Sequence, residues 1–180
     1  MTKKDHLLVI CPCYNEEHSI GSLIDELAAE AVDADITVAV VDDASLDETV
    51  KEARNHDAVC LNLPFNLGIG GAVQTGIKYA KQEDFNFCIQ LDGDGQHPPS
   101  EIHLLLIKQR SCNADIVIGS RYIEGDGFQS TLARKFGARV IAKTMSLLLP
   151  GLTVTDPTSG MRLMNRNAIE LFSRHYPVDF

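Results

Sequence analysis

The chain has 180 residues, of which 44% are hydrophobic and 23% charged, and its formal net charge is -9. This composition excludes a disordered tail, and the length suits one compact domain able to bury its own core without staples. The acidic balance argues against general nucleic-acid binding, and no run approaches the ~20 apolar residues that span a bilayer. The opening MTKKDHLLVICPC has too short an apolar run for a signal peptide. The five cysteines (Cys11, Cys13, Cys60, Cys88 and Cys112) have no CxxC spacing and fit a reducing compartment. Cys60 and Cys88 read as buried small hydrophobes, and no second Cys/His pair completes a metal set with Cys11 and Cys13.

In chain order, LLVIC (7–11) is the first strand candidate and ends in CPCYNEE, followed by a helical stretch at 18–30. ITVAVV (36–41) ends in VVDDAS and leads to a helical stretch at 47–55. AVCLNL (58–63) precedes the glycine-rich NLGIGGAVQTG (66–76), which opens a helical pattern at 70–82. FNFCIQL (85–91) ends in QLDGDGQH ahead of a helical stretch at 99–110, and ADIVIG (114–119) ends in IGSRY. The strand runs are apolar throughout, as for strands covered on both faces. Their alternation with helices predicts an α/β fold with a mainly parallel central sheet flanked by helices. Ligands in such sheets sit beyond the carboxyl ends of the strands, so four polar strand ends should open on one rim.

After Arg121 the pattern changes to a Gly-rich loop (124–127), a basic stretch and TDPTSGMRLMNRNAIELF. No acidic residue occurs from Gly127 to Thr155, and Lys135, Arg139 and Lys143 fall at i, i+4, i+8, on one helix face. Two readings stay open: a surface helix packed on the core, or a basic amphipathic helix resting on an anionic membrane or facing a phosphate.

The densest chemistry is LDGDGQHPP (91–99). Carboxylates at i, i+2 on a turn can converge on one hard cation, and Gly93 and Gly95 let the backbone bend around it. Magnesium takes one or two carboxylates together with substrate phosphates, so the motif suits a diphosphate clamp; an Asx-rich turn without metal is the alternative. A calcium loop of the EF type fails, because His97 and His103 stand where Gly and Glu belong. A phosphatase of the haloacid-dehalogenase type, with an aspartyl nucleophile in DxDG, remains a weaker alternative, since Gln96 follows where Thr or Val is wanted.

At the second strand end, capping explains Ser45 or Asp47 but not both Asp42 and Asp43; a rim carboxylate there can accept from a base N–H. At the first, Tyr14 offers an aromatic platform and Glu16 an acceptor, with capping by Asn15 or Ser19 as the plainer account. The glycine-rich turn can present backbone N–H groups to phosphate, but Val73 breaks the dinucleotide fingerprint. The guanidinium of Arg121 suits phosphate oxygens, or else a surface ion pair.

PCYNEE, VVDDAS, NLGIGGA, LDGDGQHPP, IGSRY and DPTSGMR stand in the order seen in family 2 glycosyltransferases of the GT-A fold. The chain resembles in particular the polyprenyl-phosphate sugar transferases, such as dolichyl-phosphate mannose synthase, across residues 7–173. The resemblance implies one GT-A domain over 1–180, cut short at its C-terminus. It implies that Pro12, Tyr14, Glu16, Val41 and Asp43 hold the nucleoside, and that Asp92, Gly93 and Asp94 face the donor diphosphate. Asp94 and Gln96 would be ligands of Mg2+ or Mn2+, and Arg121 and Arg134 would address phosphates, Arg134 that of the acceptor. Asp92, Asp94 and Arg121 are then the catalytic candidates.

The implied activity is metal-dependent, inverting transfer of a sugar from a UDP- or GDP-linked donor to polyprenyl phosphate, at the cytoplasmic face of the membrane and with peripheral contact. An anionic lipid phosphate needs no strong base; a hydroxyl acceptor would need one, for which Asp156 is a candidate. Ile69 departs from the pattern, standing where many relatives carry a basic residue. A non-catalytic nucleotide-sugar-binding module is the remaining alternative.

Overall fold

The structure, a computed structural model, describes residues 4–92, 98–119 and 159–177. Its elements are β1 (His6–Cys13), α1 (Ile20–Ala29), β2 (Asp35–Asp42), α2 (Thr49–Asn55), β3 (Val59–Asn62), α3 (Gly68–Gln82) and β4 (Phe87–Gln90). A 3-10 turn (Pro99–Glu101) then leads into α4 (Ile102–Cys112), followed by β5 (Ile116–Ile118), β6 (Arg162–Asn165) and α5 (Arg166–His175). Every strand and helix expected up to residue 119 is present, β6 and α5 are additions, and the basic helix expected around 135–143 lies outside the described residues.

The sheet order is β3-β2-β1-β4-β6-β5. β1 runs parallel to β2 and β4, and β2 to β3, whereas β6 is antiparallel to both β4 and β5. The first five strands therefore point one way and end on a common rim, with β6 inserted against them.

Both faces are covered, which is why the strands read as unbroken apolar runs. Leu7, Val9, Cys11 and Cys13 of β1 pack with Leu23 and Leu27 of α1 and Ile102 and Leu106 of α4. Leu8 and Ile10 turn the other way, onto Ala72, Val73 and Ile77 of α3 and Ile169 of α5. Leu7 to Cys11 are wholly buried, and each large side chain so buried contributes about 1.5–3 kcal/mol. Cys88 is buried as expected, but Cys60 is only half-buried, because β3 is the edge strand.

Local chemistry fixes the added pair. Asn165 caps α5, its Oδ1 accepting from the Ala168 N–H at 3.1 Å, and Arg174 and His175 occupy the last turn, where positive charge complements the helix dipole. Lys81 of α3 meets Glu170 of α5 at 2.7 Å, joining the two helices on that face.

On the opposite face His56 ties α2 to α1. Its Nδ1 lies 2.7 Å from Asp25 Oδ1 and its Nε2 3.3 Å from Glu52 Oε1. The hydrogen bond with Asp25 leads the causes that raise the His56 pKa above its ordinary value. A raised folded-state pKa gives stability that is complete below the unfolded value of about 6.5 and is lost as pH climbs through the folded one. Thermal melts across that window are expected to fall with rising pH, and to fall less in His56→Gln. A wild-type slope no steeper than the variant's would refute the assignment.

Candidate functional site

Two loops at the carboxyl ends of β1 and β2 are stitched to each other. The Asn15 N–H donates to Ser45 Oγ at 2.9 Å, and the Leu46 N–H donates back to Asn15 Oδ1 at 2.8 Å. The Glu16 N–H donates to Thr49 Oγ1 at 2.8 Å, the Glu17 N–H to Asp47 Oδ2 at 3.1 Å, and the Glu48 N–H to Glu17 Oε2 at 2.9 Å. Residues expected to cap their own helices thus serve the neighbouring loop: Asn15 and Ser45 hold each other's segments, and only Asp47 also bonds the Thr49 N–H at the start of α2. Both loops turn through left-handed residues, Asn15 at φ 59° and Ala44 at φ 62°. That conformation suits Asn and costs about 1–2 kcal/mol for a residue with a Cβ such as Ala44.

Ala44 turns the chain just after Asp43. The buried Asp43 carboxylate accepts from the Leu67 N–H at 2.6 Å and the Gly68 N–H at 2.9 Å, where α3 begins. Gly68 has φ 74°, which favours glycine. The first N–H groups of the glycine-rich turn, expected to face phosphate, are therefore engaged by a carboxylate of the chain itself, a charge that the positive end of α3 favours. Asp43→Ala would strand these donors. Its expected cost is about 1–2 kcal/mol, read as a lowered midpoint of denaturant unfolding.

Pro12, Cys13, Tyr14, Glu16, Asp43, Ile69, Ala72 and Asp92 line a cavity of about 300 Å³ at this rim. Tyr14 is 47% exposed there, its ring available as a flat wall. The Glu16 carboxylate accepts from the Ser19 hydroxyl at 2.6 Å. Asp92, just past β4, is half-buried and accepts from Gln90 Nε2 at 3.3 Å. The Cys11 thiol is pushed up to about 12 by burial first and by Asp92 second, and the Cys13 thiol is raised by burial too, so neither is a ready nucleophile.

Four nucleoside candidates (Pro12, Tyr14, Glu16 and Asp43) and the diphosphate candidate Asp92 thus share one cavity. Val41 does not line it: its side chain is wholly buried with Ile10 and Val73 between sheet and α3. Gly93, Asp94, Gln96, Arg121, Arg134 and Asp156 lie outside the described residues, as does the basic stretch 135–143. Among the described residues no group of three His, Cys, Asp or Glu side chains gathers for a metal. Asp92 there offers one hard carboxylate, which fits magnesium or manganese completing their shell with phosphate oxygens and water better than a closed all-protein cage.

The sequence reading missed Gln90 and Gly160. A Cβ built on Gly160 would collide with Asp92 Oδ2, so this glycine is what lets the backbone approach the carboxylate. The signal for Gln90 was present: it is the polar interruption at the end of an apolar strand run.

The description "Glycosyl transferase family 2" matches residues 8–172. The chain belongs to this family. An undecaprenyl-phosphate mannosyltransferase of Micrococcus luteus is 30% identical over 96% of this chain and 75% of its own length. A polyprenol monophosphomannose synthase of Mycolicibacterium smegmatis is 29% identical over 91% of this chain and 63% of its own. The glucosyl-3-phosphoglycerate synthase of Mycobacterium tuberculosis, solved with Mn2+, uridine-diphosphate-glucose and phosphoglyceric acid, superposes with a TM-score of 0.65 at 22% identity. It covers 91% of this chain, which spans 57% of the solved one. The likeness establishes the GT-A fold of this family 2 glycosyltransferase. No helix among its described residues is long and apolar enough to cross a membrane. The aspartyl-phosphatase alternative loses its support, because the family match takes in the whole DGDG segment.

Proposed function

We propose that this domain transfers a sugar, with inversion, from a nucleoside-diphosphate donor to polyprenyl phosphate, with the aid of Mg2+ or Mn2+. The observation that carries the reading is that Tyr14, Asp43 and Asp92, from three separate strand ends, wall one cavity in a family 2 domain. Tyr14 supplies a face for the base. Asp43 accepts from a base N–H: a carboxylate has about four acceptor sites, and the two backbone bonds leave some free. Pro12 and Glu16 close the nucleoside end. Asp92 faces the diphosphate, with Asp94 and Gln96 as further ligands for the cation and Arg121 for the phosphates. When bound, the cation would neutralise charge developing on the leaving diphosphate.

Attack comes from the face opposite the diphosphate. The acceptor phosphate oxygen is already anionic, so the domain needs to orient it, through Arg134, rather than deprotonate it. The relatives named for polyprenyl-phosphate mannosyl transfer support this acceptor. It would place the domain peripherally at the cytoplasmic face of the membrane, with the basic stretch 135–143 toward lipid.

A thermal-shift screen of UDP-, GDP- and dTDP-sugars with and without Mn2+ tests the reading. One donor class is expected to raise Tm, and more so with metal, since a ligand at a hundred times its Kd adds about 2.7 kcal/mol. Product analysis with a short polyprenyl phosphate follows. Donor binding without product would leave a nucleotide-sugar-binding module; no stabilisation by any donor would end the proposal.

A further inference from the structure

Thr49 opens α2 and is wholly buried, and Asp47 just ahead of it is half-buried. Neither lines the rim cavity, yet both hold the segment that does. The Thr49 hydroxyl donates to Asp47 Oδ1. An ionised carboxylate only accepts, so Asp47 fixes the direction of that hydroxyl and leaves its lone pairs for another donor. The Glu16 N–H takes that place at 2.8 Å. The second Asp47 oxygen, Oδ2, accepts from the Glu17 N–H at 3.1 Å. Burial opposes the charge on Asp47, but the hydrogen bonds from Thr49 and Glu17 overcome it and lower its pKa.

Two successive N–H groups of the β1–α1 loop are thus anchored on one pair of side chains from the start of α2. Just before them, Asn15 turns through φ 59° and its N–H is held by Ser45. Tyr14 and Glu16, which wall the cavity, are carried on this pinned stretch of backbone. Tyr14 is 47% exposed, so little packing holds its ring, and its place depends on the backbone beneath it. Removing the Thr49 hydroxyl would leave the Glu16 N–H without its acceptor and free the loop to shift. A small shift of a contact surface is enough to weaken a ligand that it was shaped to meet.

We infer that Asp47 and Thr49 are positioning residues for the nucleoside of the donor, acting through Tyr14 and Glu16 without touching the ligand. The inference rests on the proposed function, which puts the nucleoside against Tyr14. What matters at position 49 is the hydroxyl and not the bulk, because the hydroxyl alone joins the Asp47 carboxylate to the Glu16 N–H. The effect of Thr49 on binding therefore passes through the aromatic face it holds in place.

The test measures Kd for UDP and GDP with Mn2+ by calorimetry in wild type, Thr49→Val, which exchanges the hydroxyl for a methyl, and Thr49→Ser, which keeps it. For the nucleotide that binds, Thr49→Val is expected to weaken affinity about five- to tenfold, the scale of one lost hydrogen bond. Thr49→Ser should stay within about twofold of wild type. The same pair is then made in a Tyr14→Leu background, where the loss from Thr49→Val should shrink to within about twofold. An undiminished loss in that background, no loss in wild type, or a serine variant as weak as the valine one would each overturn the inference. Should Thr49→Val lack the circular dichroism of a folded chain, Asp47→Asn, at a half-buried position, is read against the same limits in both backgrounds. Failure of wild type to bind either nucleotide would instead remove the proposed function, and this inference with it.

Discussion

Asp92→Ala is expected to lower kcat/KM for sugar transfer by about a hundred- to a thousandfold, with little change in Tm. The scale is that of removing one group that stabilises charge building in a transition state. The separation of activity from stability follows from the surroundings. Among the described residues, the hydrogen bond to the Asp92 carboxylate comes from Gln90, at a long 3.3 Å, and the side chain is half-buried rather than part of the core. Its loss takes a negative charge from the wall of the rim cavity and leaves packing intact. Steady-state rates over a range of Mn2+ concentrations check this: the variant should lose most of its response to metal. Activity within about threefold of wild type would mean that the diphosphate is held elsewhere.

Gly160→Ala is expected to produce a comparable fall in turnover although it adds only one methyl group. That methyl would occupy the space of Asp92 Oδ2, with Asp92 Oδ1 3.0 Å away. Relief requires the carboxylate to swing, and the swing breaks its bond to Gln90 Nε2. A displacement of this kind at a reacting centre can cost about a hundredfold in rate. The backbone itself tolerates alanine at this position, since Gly160 is not among the residues with positive φ. The change should therefore reduce donor affinity and kcat together while leaving far-UV circular dichroism unchanged. Pairing it with Asp92→Ala separates the routes. If the methyl acts through Asp92, the double variant should be no worse than Asp92→Ala alone; additive losses would give Gly160 a separate role.

The sequence by itself determined the sheet and the rim. Unbroken apolar runs such as LLVIC can be satisfied only where both faces are covered, and the alternation with helices leaves a parallel sheet as the economical way to cover them. Polar clusters after β1, β2 and β4 then had to share an edge, and Tyr14, Asp43 and Asp92 do wall one cavity. Local rules foretold less well which groups would pair. Asn15 and Ser45 looked like helix caps but bond across loops separated by 30 residues, and Asp43 closes the start of α3 from 24 residues away. Cap propensity describes a residue's own turn, whereas these partners come into reach only after β1 and β2 pair.

The tertiary structure alone decided that Gln90, Arg162 and Tyr176 line a space of about 200 Å³ beside Asp92. Arg162 and Gln90 are far apart in the chain and become neighbours because β6 enters the sheet antiparallel to β4. Strand insertion of that kind leaves no periodic trace in MRLMN. A glycine whose missing side chain makes room for Asp92 is equally silent in sequence, since steric exclusion depends on what arrives beside it. Composition and periodicity encode which faces avoid water; the coincidence of an amide oxygen, a guanidinium and a phenol around one space depends on register, which exists only once the chain has folded.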